Sequence, residues 1–151
     1  MSLSASPPLI VILAFDYGTR RIGVASGNTM SRIAQGLCTL ECKQQQTPWV
    51  DINRLLSDYL PGQLIVGLPY NDDGTPTGMT AAAQSFASEL AERSKLPVAL
   101  VDERHSSKEA ERELAYLRRS GVKTRRVTHA DVDMMAAKVV LERWFSQPPS
   151  I

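Results

Sequence analysis

Residues Ala14–Gly27 read AFDYGTRRIGVASG. One acid, Asp16, closes a run of seven apolar residues, Leu9–Phe15 (LIVILAF), and opens a glycine-containing turn with two arginines. A continuous β-branched run is the pattern of a strand buried on both faces. Arg21–Ser26 follows as a second short strand, and the DYGTR turn between them implies a hairpin. A charge at the end of such a strand is either a solvated terminus or part of a site. The rest of the chain has to decide between them.

Outward from this hairpin, Ala34–Leu40 predicts a third strand of the same meander. Trp49–Leu60 carries apolar residues at 49, 52, 55, 56, 59 and 60, a helical spacing. Gln63–Leu68 is an apolar strand ended by Pro69, and Asn71–Gly74 (NDDG) is a turn. Thr80–Ser94 is Ala-rich and helical, and Pro97–Val101 reads as a buried strand. Ser106–Ser120 opens on Ser106 and Glu109, a capping-box spacing, and stops at Gly121. Val122–Val127 is a basic connector, and Ala130–Phe145 is a last helix with its cap near Thr128 or His129. The order β-β-β-α-β-α-β-α-α predicts a mixed sheet with helices on its faces.

The 151 residues suit one domain, with a core over about 9–145 and loose tails at 1–8 and 147–151. The composition, 43% hydrophobic and 22% charged, is that of a globular protein. A net charge of +1 excludes a global basic field, so a nucleic-acid role needs locally clustered charge. Cys38 and Cys42 are spaced C-x3-C with no histidine cluster, which reads as two free thiols in a reducing compartment. The first apolar run is too short to span a bilayer and lacks a basic leader, so a cytoplasmic protein without membrane contact is expected.

Three places hold informative acids. Asp16 ends the first strand, Asp102 and Glu103 end the last, and Asp131 and Asp133 lie early in the last helix. Strand alternation lets only one of Asp102 and Glu103 face Asp16, and leaves open which one. Asp131 and Asp133 stand about 200° apart on a helix, so they cannot both face the sheet. Asp131 in the first turn suits the helix N-terminus without any function. Asp133 sits among Val132, Met134, Met135, Ala136 and Ala137, where a charge is costly unless paired or coordinated. Converging carboxylates repel unless a cation lies between them, and Mg²⁺ or Mn²⁺ suits oxygen donors. Such a cluster supports phosphodiester hydrolysis.

Four segments in this order resemble the YqgF/RuvX family of RNase H-like proteins: FDYGTRRIGVASG, IVGLPYNDDGT (Ile65–Thr75), VDERHSS (Val101–Ser107) and VDMMAAKVVLERWF (Val132–Phe145). Members of that family are described as Holliday junction resolvases and as the nuclease that matures the 5′ end of small-subunit ribosomal RNA. The resemblance implies an RNase H-like α/β fold with a five-stranded mixed sheet, an antiparallel meander plus two parallel strands, and helices on both faces. It implies Asp16, Glu103 and Asp133 as catalytic metal ligands, and products carrying a 5′-phosphate and a 3′-hydroxyl. Two departures stand out. His105 follows the DER segment where the family often has Leu, and Met134 follows the final Asp where Ser is common, removing a hydroxyl that could support the carboxylate.

Arg20 and Arg21 follow the turn, and alternation brings only one of them to the site. Arg104 follows Glu103. These arginines either grip phosphate or neutralise the acids. Gly18 is read as supplying backbone freedom in the turn. Arg118, Arg119, Lys123, Arg125 and Arg126 place five basic residues within nine positions ahead of the Asp133 helix, a candidate phosphate-backbone contact. Gly67, Asn71 and Gly74 belong to a strand-end loop on the substrate side. Trp49 and Trp144 fit core packing.

The leading expectation is therefore a metal-dependent endonuclease acting on a ribosomal RNA precursor, with a four-way DNA junction as the alternative substrate. A non-catalytic RNA- or ribosome-associated module needs only the basic segment. An ATP-binding actin/Hsp70-like protein shares D-x-G-T after a first strand but needs two lobes. Resolvases that cut both strands of a junction generally need a homodimer, and no stretch here marks such an interface.

Overall fold

The computed structural model describes residues 8–104, 106–119 and 128–147. The terminal tails, His105 and the Lys123, Arg125 and Arg126 part of the basic segment lie outside the described residues, as do the side chains of Ser106 and Arg118.

Among the described residues, five strands form one sheet: β1 (Val11–Asp16), β2 (Arg21–Asn28), β3 (Gln35–Glu41), β4 (Gln63–Leu68) and β5 (Val98–Asp102). Their order is β3-β2-β1-β4-β5. β1 pairs antiparallel with β2, and β2 with β3, while β4 runs parallel to both β1 and β5. The meander and the two parallel strands expected from the sequence are both present. β3 is half-exposed along its length, as an edge strand should be.

Among the described residues, four α-helices cover the sheet: α1 (Trp49–Tyr59), α2 (Gly78–Ser94), α3 (Ser106–Arg119) and α4 (His129–Ser146). Alternation along the strands builds two cores. Leu13, Phe15, Ile22, Val24, Leu64 and Val66 face Ile52 of α1 and Phe86 and Leu90 of α2. Ile12, Ala14, Ala25, Ile65 and Val101 face Ala137, Val140, Leu141 and Phe145 of α4, and α3 packs against α4. Helices thus lie on both faces. Trp49 stacks on Phe86 and Trp144 packs against Phe145, both as core residues.

Helix ends follow capping chemistry. α2 begins two residues earlier than its apolar pattern suggests, because Thr77 caps it and exchanges hydrogen bonds with Thr80. Thr128 caps α4 reciprocally with Asp131. Among the described residues, no helix is long and apolar enough to cross a membrane.

Two glycines let α4 lie on the sheet. A Cβ on Gly23 would fall on the Asp133 carbonyl, and one on Gly36 would stand 2.6 Å from Cγ of Met134. α4 therefore docks backbone-to-backbone over β2, and this fixes where Asp133 can be.

Candidate active site

The period of 2 that sorts the core also sorts the acids. Ile12 and Ala14 face α4, so Asp16 does too. Ile65 leads to Gly67 on that face, and Val101 leads to Glu103. The Glu103 N–H donates to the Leu68 carbonyl at 3.0 Å, which continues the sheet beyond β5 and keeps the side chain in phase. Asp102, in the opposite phase, is exposed and pairs with Arg104. The choice between Asp102 and Glu103, left open by alternation alone, falls on Glu103.

Asp16, Glu103 and Asp133 line one cavity of about 330 Å³, together with Tyr17, Arg20, Arg21, Pro69 and Met79. Asp16 and Glu103 are hydrogen-bonded to each other. Burial, reinforced by the neighbouring Asp16 charge, pushes Glu103 up to about 10. Burial also raises Asp16 to about 6, with the Asp133 charge adding to it and the bond from Glu103 opposing it. Burial and the repulsion between the two charges both oppose ionising the pair together, so the pair retains a proton above the ordinary carboxylate range. The Oε2 atom of Glu103 is buried with no hydrogen-bond partner. Room for it exists because residue 67 is glycine: a Cβ there would stand 2.6 Å away.

Asp133 is differently engaged. Its carboxylate accepts a 2.5 Å hydrogen bond from Nε of Arg21. Among the described residues, no three acidic, histidine or cysteine side chains are placed to hold a metal ion together. The three acids share a cavity, then: Asp16 and Glu103 are hydrogen-bonded to each other, and the Asp133 charge acts on Asp16. Asp131 is buried, and its carboxylate accepts from the backbone N–H and hydroxyl of Thr128 at 2.9 and 3.0 Å. That is the capping role its position in the first turn suggested.

The basic and loop residues divide. Arg20 and Arg21 both line the cavity, where alternation had admitted only one; the DYGTR turn ends as β2 begins, so strict alternation does not extend to Arg20. Arg104 turns away, bonded to Asp102 at 2.8 Å and reaching the Asp72 carbonyl. Asn71 and Gly74 do not line the cavity. Their turn closes on itself, with the Gly74 N–H donating to the Asn71 carbonyl and the Asn71 amide donating to Thr75. Gly74 alone among them needs its residue type for conformation, with φ of +88°. Gly18 is required for space and not for freedom, since a Cβ would sit 2.6 Å from the Arg21 carbonyl. Arg119 is exposed on α3.

Sequence reasoning missed Arg143. From α4 it donates to the Asp102 carbonyl and to Glu109, and its charge partly offsets the rise at Glu103. It also missed the approach of α4 at Gly23, for which a glycine inside a buried strand was the available signal.

Comparison with known proteins decides the family. The RuvX family model, described as Holliday junction resolvase, matches residues 10–147. The chain belongs to the RuvX family. A relative from Dechloromonas aromatica (strain RCB), called "Putative pre-16S rRNA nuclease", is 41% identical over 137 residues, 91% of each chain. One from Pseudomonas paraeruginosa (strain DSM 24068 / PA7) with the same name is 38% identical over 149 residues, 98% of this chain and all of its own. Among solved structures, T. thermophilus RuvC in complex with Holliday junction substrate superposes with a TM-score of 0.53 at 16% identity, covering 90% of this RuvX-family chain and 93% of RuvC. The yeast mitochondrial Holliday junction resolvase Ydc2 gives 0.52 at 13% identity, covering 89% and 77%. These structures share the fold, and the RNase H-like architecture implied by the four sequence motifs is the one found.

Proposed function

We propose that this RuvX-family nuclease is a divalent-metal-dependent endonuclease that matures the 5′ end of pre-16S ribosomal RNA in the cytoplasm. The observation that carries the reading is the Asp16–Glu103 pair. The buried Glu103 carboxyl meets the half-buried Asp16 at the ends of β5 and β1, on either side of β4; the pair retains one proton and leaves an oxygen of Glu103 unpartnered. A buried acid pair of this kind costs stability, and a cation in place of the proton relieves it. The donor set is all oxygen, which suits Mg²⁺ or Mn²⁺. Asp16 and Glu103 would hold the ion, with Asp133 joining them once Arg21 releases it. The family resemblance and the names of relatives that match this chain end to end support the substrate.

When bound, a divalent ion supplies charge neutralisation at the scissile phosphate and a more acidic water for attack at phosphorus. The chain's own residues do the rest. On ion binding the proton shared by Glu103 and Asp16 would pass to solvent, and the hydrogen bond between the two carboxyls would be lost with it. Arg21, once released by Asp133, would present a planar fork of donors at the cavity wall, and Arg20 stands beside it. Both suit the non-bridging oxygens of a phosphodiester. Tyr17 stacks on Phe86 with ring centroids 4.8 Å apart, which fixes the turn carrying these arginines on the sheet.

The test is cleavage by purified protein in Mg²⁺ or Mn²⁺ of two labelled substrates: a single-stranded RNA copying a pre-16S 5′ end, and a four-way DNA junction. The family description makes the junction the second substrate to try. RNA cleavage by the wild type and its loss in Asp16→Asn is the expected result. Preference for the junction would move the assignment to resolution of DNA. Binding of the RNA with no cleavage of either substrate would replace catalysis with a binding role.

A further inference from the structure

A second concavity, of about 500 Å³, lies on the other side of the arginine pair. Arg20 and Arg21 line it as well as the acidic cavity, so the two hollows meet at a shared ridge. Its other walls are the end of β3, with Thr39 and Glu41, the turn holding Lys43 and Gln44, and Ala130 in the first turn of α4. The Thr39 hydroxyl donates to the Ala130 carbonyl at 2.7 Å and ties β3 to α4 across the floor. The Cys42 N–H donates to the Arg20 carbonyl at 2.8 Å and ties the Lys43 turn to the ridge.

Three features of this hollow point to a ligand. First, Arg20 and Lys43 line the hollow together and neither is ion-paired among the described residues, whereas Arg21 between the two hollows is paired with Asp133. Second, Gln44 and Gln45 are consecutive non-glycine residues with φ of +53° and +60°. Each such residue costs on the order of 1–3 kcal/mol, and strain of this kind gathers at ligand-contacting segments. Here it lifts an exposed glutamine, which both donates and accepts, to the rim beside Lys43. Third, the size is within the roughly 300–1,000 Å³ of small-ligand sites, on the order of a nucleotide or two.

We propose that this groove is a subsite for single-stranded nucleic acid flanking the scissile phosphate. The strand leaves the acidic cavity over Arg20, its next phosphate is met by Lys43, and Gln44 reaches the sugar or base. Among the described residues, no aromatic side chain lines the groove, so the contact follows the backbone and tolerates sequence. The inference rests on the nuclease reading for the cavity next door, but its test does not use cleavage.

The probe is a fluorescein-labelled 12-nucleotide single-stranded RNA, followed by anisotropy in EDTA across a series of salt concentrations. Lys43→Ala should weaken binding on the order of fivefold at 0.1 M salt and reduce the slope of log K against log salt by about 0.7, as the loss of one phosphate contact requires. Gln44→Gly, which relieves the strain, should weaken binding without changing the slope. Arg54→Ala, an exposed cation on α1, should change neither. Unaltered binding in both groove variants, or an equal loss in Arg54→Ala, would overturn the subsite. Thermal melting of each variant excludes misfolding as the cause. If the groove variants behave as expected while no substrate is cut, the subsite stands and the nuclease reading falls. If Asp16→Asn abolishes cleavage while the groove variants bind normally, the reverse holds.

Discussion

At the scale of single residues, the site is governed by a proton and by one ion pair. Glu103 holds its proton to far higher pH in the fold than in the unfolded chain, because burial and the Asp16 charge oppose ionisation. The sign follows from linkage. Between the ordinary carboxylate range and about 10, the folded state binds one more proton than the unfolded state, so metal-free stability falls as pH rises through that window. Asp16 adds a smaller fall between its ordinary value and about 6. Glu103→Gln should therefore raise the metal-free Tm at pH 8 by several degrees, flatten its pH dependence in melting experiments, and abolish cleavage. For the same reason metal must displace about one proton above pH 6, so titration calorimetry should show Kd falling about tenfold per pH unit there and more steeply below. Arg21→Gln frees the Asp133 carboxylate from its competitor. It should tighten Mn²⁺ binding severalfold while lowering the RNA cleavage rate, a split that simple loss of structure would not produce.

At the scale of elements, α4 is placed by glycines that no pattern of α4 itself reveals. The helix was legible because Val139, Val140, Leu141 and Phe145 recur on its buried side and Thr128 and Asp131 make a cap. β1 and β4 were legible as unbroken apolar runs, and β3 through its place in a meander. The acids were legible because each ends a strand or interrupts an apolar helix face. The pairings were not: Arg21 meets Asp133 across 112 positions, and Arg143 meets Asp102 across 41, and only the register of sheet and helix brings them together. Two substitutions separate docking from helix formation. Thr128→Ala removes a cap and should cost about 1 kcal/mol of stability with cleavage retained. Gly23→Ala drives a Cβ into the Asp133 carbonyl, so α4 must lift from β2. Overpacking of this kind costs typically 1–3 kcal/mol. Because the displaced segment carries Asp133, cleavage at a temperature where the variant is folded should fall by more than tenfold. Wild-type cleavage in folded Gly23→Ala would show that the position of Asp133 matters less than the contact implies.

At the scale of the whole molecule, the site joins three segments far apart in the chain, the ends of β1 and β5 and the start of α4, with the Gly67 backbone of β4 behind them. Among the described residues, the core facing α4 reaches Ala14, Ile65 and Val101, and the next residues along β1 and β5 are the acids or lead directly to them. A ligand that bridges these acids therefore crosslinks elements far apart in the chain. It stabilises the folded state by RT ln(1 + [L]/Kd), about 2.7 kcal/mol at a hundredfold excess over Kd. For a chain of 151 residues that corresponds to a Tm increase of several degrees. Differential scanning calorimetry with and without Mn²⁺ should show this shift in the wild type and lose most of it in Asp16→Asn. Ca²⁺, which also prefers oxygen donors, should shift Tm without supporting cleavage if binding and chemistry are separable at this site. A wild-type Tm unmoved by any divalent ion across pH 6–9 would mean that the shared proton, and not a cation, is the resident partner of Asp16 and Glu103, and would remove the metal from the proposed chemistry.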